Sequence, residues 1–360
     1  MTIALVYGGR STEHEVSISS AKAMHQALKQ AGFSVLLIAI TLEGRWYVQH
    51  GEVSKHISTD KSVHAVPGLG LFVDDVKLPI DAVFATTHGY GGEDGNLQGL
   101  CMLCKLPLCG CDTVSSALGM HKHLASTLFA NEHIPTVPTL LVTKEVLQQG
   151  RFDQIYAQAR VSFGSDLFVK PENSGSSVGV SALKNCEVAA FGRAVEMAGC
   201  YSERVLVQPL IHPLMEVETA VLRTQDNDLL VAGPGLVVDP GKEHVGFLSY
   251  EHKYGQIDTA HLRIPSGLDA ETEETIREYA RKAFLAIKGD GYARVDFFVC
   301  GTRIYLNEIN TSPGMTETSH YPALMAGIGY DLSQVCRHLI ADALKRSKEE
   351  RQRIYTPPSP

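Results

Sequence analysis

The stretch from residue 294 to residue 315 constrains the fold of this chain more than any other part of the sequence. Val295, Phe297 and Val299 alternate there with Arg294 and Asp296, which is the period expected of a strand that buries one face. A turn at residues 300–302 follows, and the extended pattern then resumes through residue 310. The sequence therefore predicts two antiparallel strands joined by a turn.

Four polar residues of this hairpin are predicted to share one face. Successive side chains of a strand point to opposite sides, so Arg294 lies with Asp296 on one strand and Glu308 with Asn310 on the other. Two carboxylates and an amide are hard oxygen ligands of the kind that Mg²⁺ binds, usually together with nucleotide phosphates. The guanidinium of Arg294 matches phosphate oxygens. The alternative is a half-buried hairpin whose polar residues simply face water.

The composition is that of an ordinary globular protein of two or three domains. The 360 residues are 44% hydrophobic and carry a net charge of −8, with acidic and basic residues interspersed. This distribution argues against a nucleic-acid surface, which needs a basic stripe, and no apolar run is long enough to cross a bilayer. The N-terminus lacks the features of a signal peptide. We therefore expect a cytoplasmic protein with neither nucleic-acid nor membrane partners.

Four of the eight cysteines, Cys101, Cys104, Cys109 and Cys111, lie close enough in sequence to suggest a zinc site. Their spacing is tighter than that of an ordinary zinc ribbon. They also stand among leucines, where a free cysteine usually packs as a small apolar side chain. We expect packing rather than metal binding, and no disulfides in a reducing compartment.

Two loops of the N-terminal region are candidates for ligand binding. Residues 1–40 read as strand, helix and strand, with a glycine loop that matches neither a dinucleotide fingerprint nor a P-loop. From the residues alone, Glu13 would be a partner of the helix dipole. His88 and Glu93 follow the buried strand at 81–85, at the strand end where parallel sheets bind ligands. His88 taken alone would be a hydrogen-bonded structural histidine.

The middle of the chain contains a second candidate phosphate site. Residues 50–67 are predicted to form a polar loop, and residues 115–132 are predicted to form one helix that includes Lys122. The prolines near residue 135 indicate a domain boundary. A strand ending in Lys170 then leads into a glycine–serine loop at 172–180. Such a loop offers N–H donors and hydroxyls with little bulk, as a phosphate lid needs. The alternative is a flexible hairpin turn.

Five segments resemble the ATP-grasp D-alanine–D-alanine ligases and together span nearly the whole chain. The hairpin carries R-x-D and N-E-I-N-T-S-P-G-M-T, and the others carry G-G-x-S-x-E-x-E-V-S, H-G-x-x-G-E-D-G-x-x-Q-G, K-P-x-x-x-G-S-S-V-G and Y-x-x-K-Y. The resemblance implies an α/β fold with a three-domain ATP-grasp architecture and a Rossmann-like N-terminal domain. We place the domains at residues 1–135, 136–205 and 206–360, the last with the catalytic core.

The same resemblance implies the activity and the substrate contacts. Members of this family join two D-alanines through a D-alanyl phosphate made with ATP, and the dipeptide supplies peptidoglycan synthesis. On the matching positions, Glu13 would hold the ammonium group of the first alanine. His88 and Glu93 would line the first-alanine site, and Ser319 would bind the carboxylate of the second alanine.

The resemblance also implies the groups that act on the reacting atoms. Ser176 would join Glu13 and Tyr254 in a hydrogen-bonded group, while Arg294 and the N–H of Gly314 would stabilise the oxyanion. Two Mg²⁺ or Mn²⁺ ions would be held by Asp296, Glu308 and Asn310. The family further suggests a homodimer.

The nucleotide contacts are inferred in the same way. Lys122, Lys170 and Lys253 would bind the phosphates, and Ser176 and Ser177 belong to the phosphate lid. Gln208 stands at the adenine edge, and Glu216 would bind the ribose. The chain departs from the family at His121, where aspartate is usual, and at Pro209, which removes a backbone donor from the adenine edge. It also has Leu214 and Met215 where Gly-Arg is usual.

Two other functions remain open at this point. A sibling ligase could use D-serine or D-lactate as acceptor, although Tyr254 favours the dipeptide because family members that make D-alanyl-D-lactate lack this tyrosine. A non-catalytic nucleotide-binding regulator is the second, since the adenine segment is unusual. Retention of Arg294 with all three ligand oxygens argues against a regulator, because binding alone would not need the full set.

Overall fold

The computed structural model describes residues 1–238 and 261–355, and within these ranges the chain forms four β-sheets flanked by helices. The first sheet has the strand order β3-β2-β1-β7-β8, and its central strand β1 pairs in parallel with β2 and β7. The elements of this part are β1 (Thr2–Gly8), α1 (His14–Gln30), β2 (Ser34–Ile40), β3 (Trp46–Gln49), β4 (Val63–Val66), β5 (Gly70–Val73), β6 (Val76–Lys77), β7 (Ala82–Ala85), α2 (Asn96–Leu103), β8 (Leu108–Cys109), α3 (Thr113–Met120) and α4 (Lys122–Asn131).

The second part is built on a four-stranded sheet of order β11-β10-β12-β9, in which neighbouring strands are antiparallel. Its helices cover one face, and Phe191 and Val195 of the last helix lie in the core with Val169 and Val207 of the sheet. The elements are β9 (Leu140–Val142), α5 (Lys144–Gln149), α6 (Asp153–Phe163), β10 (Leu167–Pro171), β11 (Ser181–Leu183), α7 (Val188–Gly199) and β12 (Val205–Pro209).

The third part carries the predicted hairpin in an antiparallel sheet of order β15-β14-β13-β16-β17. The hairpin strands are β16 and β17, and they bury Val295, Phe297 and Val299 as the alternation predicts. The elements are β13 (Met215–Arg223), β14 (Leu229–Val238), β15 (His261–Arg263), α8 (Ala270–Ala286), β16 (Tyr292–Cys300), β17 (Arg303–Asn310), α9 (His320–Ala326) and α10 (Leu332–Arg351).

Two of the predicted elements were wrong. Residues 115–132 do not form one helix, because His121 takes φ −88° and ψ 88° and separates α3 from α4. Lys122 thereby becomes the first residue of a helix. The region 50–67 is not only a loop, since it contains β4, which pairs with β5 in a three-stranded sheet.

The first and last parts of the chain share one hydrophobic core. Tyr7 and Phe84 of the first sheet are fully buried in the same cluster as Tyr321 of α9 and Leu339 of α10. The segment near residue 135 is also tied to the hairpin, because the N–H of Leu306 donates to the carbonyl of Pro135 at 2.8 Å. Because the shared core and this hydrogen bond join the predicted domains, the limits at residues 135 and 205 stay a prediction. Across the residues that the structure describes, no helix has the length and apolar character needed to cross a bilayer.

The four clustered cysteines pack as apolar side chains in three different clusters. Cys101 and Cys104 lie with Leu97 in one, Cys109 lies in the core shared by the first and last parts, and Cys111 lies beneath the hairpin. All are buried free thiols. Burial raises the pKa of the Cys101 and Cys111 thiols to about 12, so they stay protonated.

Candidate active site

The hairpin brings the predicted polar residues together. Strand pairing sets Asp296 opposite Glu308 and Arg294 opposite Asn310. Arg294 donates from Nε and Nη2 to the two carboxylate oxygens of Asp296, each at 2.8 Å, and the amide of Asn310 donates to Asp296 Oδ2 at 3.0 Å. This two-point pairing holds both side chains in one orientation.

A second carboxylate, which the sequence analysis did not assign, completes this ion network. Glu218 of β13 pairs with Asp296 in register, and its Oε2 lies 3.0 Å from Arg294 Nε. Burial disfavours the arginine cation, but Asp296 and Glu218 together raise the pKa of Arg294 well above its usual value. Burial raises the pKa of Asp296 to about 6, against the opposing effect of Arg294. At neutral pH the centre holds one cation between carboxylates.

A β-bulge adds another residue that sequence periodicity missed. The strand register shifts after Asp296, so that Phe297 pairs with Leu306 and Asn307 is the extra residue. Asn307 lines the same cavity as Glu308, and its Oδ1 accepts from Lys170 Nζ at 2.9 Å. Burial lowers the pKa of Lys170 to about 8, although Glu308 opposes this shift. Lys170 is therefore a buried lysine on the cavity wall whose positive charge burial disfavours.

The helix break at His121 brings Lys122, a second predicted phosphate-binding lysine, close to the hairpin. Lys122 Nζ donates to the carbonyl of Ser174 at 2.9 Å and lies 3.3 Å from Glu308 Oε2. His121 Nδ1 itself lies 3.5 Å from the buried carboxylate of Glu172, at the base of the glycine–serine loop. The break thus connects this loop to the hairpin through Lys122.

The glycine–serine loop has the strained backbone expected of a binding segment. Ser176 and Ser177 both take left-handed conformations, with φ of +53° and +58°. Such residues cost about 1–3 kcal/mol each when they are not glycine. Ser176 Oγ donates to Glu13 Oε1, and a Cβ on Gly175 would lie only 3.0 Å from Glu13 Oε2. The glycine therefore lets the loop approach Glu13 closely.

A cavity separates the middle sheet from the hairpin sheet, and most of the predicted nucleotide residues line it. Gln208 lies on its wall and donates to Thr139 Oγ1 at 2.8 Å. The predicted residues that line the cavity are Lys122, Lys170, Ser176, Ser177, Gln208, Glu216, Asp296 and Glu308. Apolar side chains from Val137, Phe168, Leu210 and Leu214 complete the walls. A planar apolar group with a charged tail would match this lining.

His88 and Glu93 contact the turn that follows β17. His88 Nδ1 lies 2.9 Å from the carbonyl of Ser312, and Glu93 accepts from the N–H of Ser312 at 3.4 Å. The N–H of Met315 donates to Ser20 Oγ, which lies 3.3 Å from His88 Nε2. Burial lowers the pKa of His88. These contacts fix the backbone on both sides of Gly314.

Gly314 and Ser319 lie next to each other at the end of this turn. A Cβ on Gly314 would come within 2.9 Å of Ser319 Oγ, so any larger residue there would displace this hydroxyl. Ser319 precedes α9, and its Oγ accepts from the N–H of Thr316 at 3.0 Å. Lys253 and Tyr254 lie outside the described residues.

Replacement of Glu93 by glutamine is expected to stabilise the protein at high pH. Burial, and then the charge of Glu13, raise the pKa of Glu93 from 4.5 to about 7. Between those values the folded state holds a proton that the unfolded chain has lost, so stability falls as pH rises. Glutamine cannot ionise, and we expect a gain of about 3 kcal/mol at about pH 8 and none near pH 4.

Urea unfolding at the two pH values measures this difference. Glu132→Gln, at an exposed position, is the matched control and should change neither curve. An equal shift at both pH values would contradict the titration of Glu93.

The oxygens of the hairpin residues could hold a divalent cation. Asp296 and Glu308 face each other across the strands and both line the cavity, and the amide of Asn310 lies within hydrogen-bond distance of Asp296. Oxygen-only donor sets of this kind suit Mg²⁺ or Mn²⁺ rather than zinc. Binding through Asn310 Oδ1 requires that its amide rotate, since it now donates through nitrogen, and a cation on Asp296 would share oxygens that now accept from Arg294.

Comparison with known proteins agrees over nearly the whole length. Residues 2–111 match the family described as D-ala D-ala ligase N-terminus, and residues 128–341 match D-ala D-ala ligase C-terminus. A D-alanine–D-alanine ligase of Ruminiclostridium cellulolyticum is 36% identical, with 98% of each chain covered. A relative of that name from Caldicellulosiruptor bescii is 35% identical over 99% of this chain and 98% of its own.

Two solved structures are similar throughout. The D-alanine–D-alanine ligase from Coxiella burnetii aligns with a TM-score of 0.81 at 30% identity, covering 98% of this chain and 97% of its own. The VanG D-Ala:D-Ser ligase from Enterococcus faecalis aligns with a TM-score of 0.80 at 32% identity, covering 95% and 99%. The expected ATP-grasp fold is thereby confirmed. The chain belongs to the D-alanine–D-alanine ligase family of ATP-dependent ligases.

Proposed function

We propose that the protein joins two molecules of D-alanine with ATP as co-substrate and supplies the dipeptide for peptidoglycan. The observation that carries this proposal is the hairpin, where Asp296 and Glu308 face the cavity and Arg294 is held by two carboxylates. Forming an amide from a free carboxylate and an amine is unfavourable in water, so the acid must first be activated. A site with cations, acidic oxygens and a glycine–serine loop is suited to phosphoryl transfer.

In the first step, the carboxylate of the first D-alanine attacks the γ-phosphorus of ATP and ADP leaves. Glu13 holds the ammonium group of this alanine, at the point where Ser176 ties the loop to Glu13. Lys122 and Lys170, both lining the cavity, neutralise phosphate charge together with Lys253. Two divalent ions held by Asp296, Glu308 and Asn310 would supply further charge neutralisation. Ser177, Gln208 and Glu216 would hold the rest of the nucleotide.

In the second step, the amine of the second D-alanine attacks the acyl carbon, and phosphate leaves. Ser319 binds the carboxylate of this alanine, and its neighbour Gly314 offers a backbone N–H toward the developing oxyanion. Arg294 supplies a fixed positive charge for the same oxyanion. His88 and Glu93 hold the turn in place through Ser312.

An acceptor panel tests the proposal. Purified protein with Mg-ATP and D-alanine is expected to release ADP, phosphate and dipeptide, and to do so faster than with D-alanine plus D-serine or D-lactate. The similarity to the VanG D-Ala:D-Ser ligase makes D-serine the main competitor. Preferential use of D-serine would make the chain a sibling ligase. ATP binding without turnover on any amino acid would make it a nucleotide-binding regulator.

We also propose that the enzyme works as a homodimer in the cytoplasm, where ATP is available. Leu69, Met102 and Leu103 are each more than half exposed, and a backbone hydrogen bond from Gly68 to Leu103 brings the two segments together. An apolar surface of this kind is suited to a subunit contact. Light scattering should give twice the chain mass, and a monomer mass would reject the dimer.

A further inference from the structure

The proposed reaction leaves one proton without a group to receive it. An amino acid acceptor is an ammonium ion at neutral pH, and its nitrogen has no lone pair for attack until one proton is removed. Glu13 already accepts from Ser176, and Asp296 is held by Arg294 and Asn310. Another group near the acceptor must take this proton, and the inference that follows rests on the proposed function.

His320 has the arrangement that a general base needs. It is the first residue of α9, and its Nδ1 lies 2.8 Å from Oε2 of Glu218, with both side chains largely buried. Because a carboxylate can only accept, Nδ1–H donates and Nε2 carries the lone pair. Nε2 forms no hydrogen bond with any residue that the structure describes. A histidine oriented by a carboxylate is a recurrent device in proton transfer.

His320 is connected both to the residue assigned to the acceptor carboxylate and to the residue assigned to the oxyanion. It directly follows Ser319, which is assigned to the acceptor carboxylate, and Ser319 Oγ is next to Gly314. Through Glu218 it is also connected to Arg294, whose Nε lies 3.0 Å from the same Oε2. If the carboxylate of the acceptor is bound at Ser319 and its amine attacks beside Gly314 and Arg294, the amine nitrogen would lie between Ser319 and Arg294, on the side of the site where His320 and Glu218 meet.

We propose that His320 is the general base of the second step and that Glu218 positions it. Nε2 takes one proton from the acceptor ammonium, and the nitrogen keeps the electron pair. That pair forms the new C–N bond at the acyl carbon. When the tetrahedral intermediate collapses, the C–O bond to phosphate breaks, and the second amine proton leaves with phosphate as hydrogen phosphate. The imidazolium then returns its proton to water.

The test separates activation of the first alanine from transfer to the second. Hydroxylamine traps D-alanyl phosphate as a hydroxamate, and because it is largely uncharged at neutral pH it needs no base on the enzyme. In His320→Gln, the side-chain amide can still donate to Glu218 but cannot take a proton. Dipeptide formation is expected to fall by about 100-fold or more, while hydroxamate formation from ATP and D-alanine stays within about twofold of wild type.

His64→Gln, at an exposed position on β4, is the matched control and should alter neither rate. His320→Ala provides a second variant, in which added imidazole should restore dipeptide formation without changing hydroxamate formation. Equal losses of both products would mean that His320 only anchors α9, and no loss of dipeptide would exclude it as the base; either result overturns the proposal. Wild-type protein that makes no hydroxamate from D-alanine would instead defeat the proposed function.

Discussion

Replacing Arg294 with methionine is expected to lower stability by about 3 kcal/mol and the ligase rate by at least about 100-fold. Arg294 is the cation shared by Asp296 and Glu218, at distances of 2.8 and 3.0 Å. Without it, two buried carboxylates remain close together, and breaking a buried pair on one side costs more than the pair itself contributes. The rate falls because the oxyanion loses its fixed charge.

The loss of stability should depend on pH in a defined direction. Burial already raises the pKa of Asp296 to about 6 in the presence of the arginine, and removing the cation raises it further. Acidification then neutralises the carboxylate, so the destabilisation should be smaller at about pH 5 than at about pH 8. Urea unfolding at both pH values and phosphate release measure the two effects.

Arg303→Met is the matched control, because Arg303 lies on the same hairpin but is exposed. It should change stability by less than about 0.5 kcal/mol and leave the rate unaltered. If Arg294→Met were as mild as this control, the ion network would be neither structural nor catalytic.

The hairpin was predictable because strand periodicity is a local property. Alternation of Val295, Phe297 and Val299 with charged residues determines which face is buried, and pairing across a short turn determines what stands opposite. The meeting of Arg294, Asp296 and Asn310 follows from these two rules. The nucleotide cavity itself could not be read from periodicity and depended on the resemblance.

Two residues of the site, Asn307 and Glu218, were not predicted, because one depends on a β-bulge and the other on a strand far away in the sequence. Asn307 enters the cavity wall only because a bulge shifts the register, and a period of two assigns it to the opposite side from Glu308. Glu218 reaches Arg294 from β13, some 76 residues away in the chain. The available signal was a second carboxylate, Glu218, two residues after Glu216 and therefore on the same face of a strand.

The helix break at His121 was missed for a similar reason. Residues 115–132 carry no proline or glycine pair that would interrupt a helix, and Gly119 alone is tolerated. A Cβ at Gly119 would lie 2.9 Å from Thr311, so close packing against the hairpin, rather than a break signal, explains this glycine. Tertiary contacts override helix propensity here.

Replacing Lys170 with methionine is expected to stabilise the protein while it lowers the ligase rate by at least about 100-fold. Burial lowers the pKa of Lys170 from 10.5 to about 8. Below pH 8 the folded protein therefore carries a charge that burial disfavours, and this cost disappears as pH rises toward 10.5. The cost is about 3 kcal/mol at neutral pH. Loss of the hydrogen bond to Asn307 offsets about 1 kcal/mol, which leaves a net gain of about 2 kcal/mol.

Lys122→Met is the matched control, because this lysine is held by Glu308 and by the carbonyl of Ser174, and it should lower the rate without any gain in stability. Urea unfolding at about pH 7 and about pH 10 should show the advantage of Lys170→Met shrinking at the higher pH. A loss of stability for Lys170→Met at pH 7 would mean that the charge of Lys170 is already compensated by the protein. Two carboxylates within 3.0 Å compensate Arg294, whereas the charge of Glu308 only partly offsets the burial of Lys170. The two substitutions should therefore shift stability in opposite directions, although both lower the ligase rate. The phosphates of ATP would bind Lys170, whose positive charge the protein itself neutralises only in part.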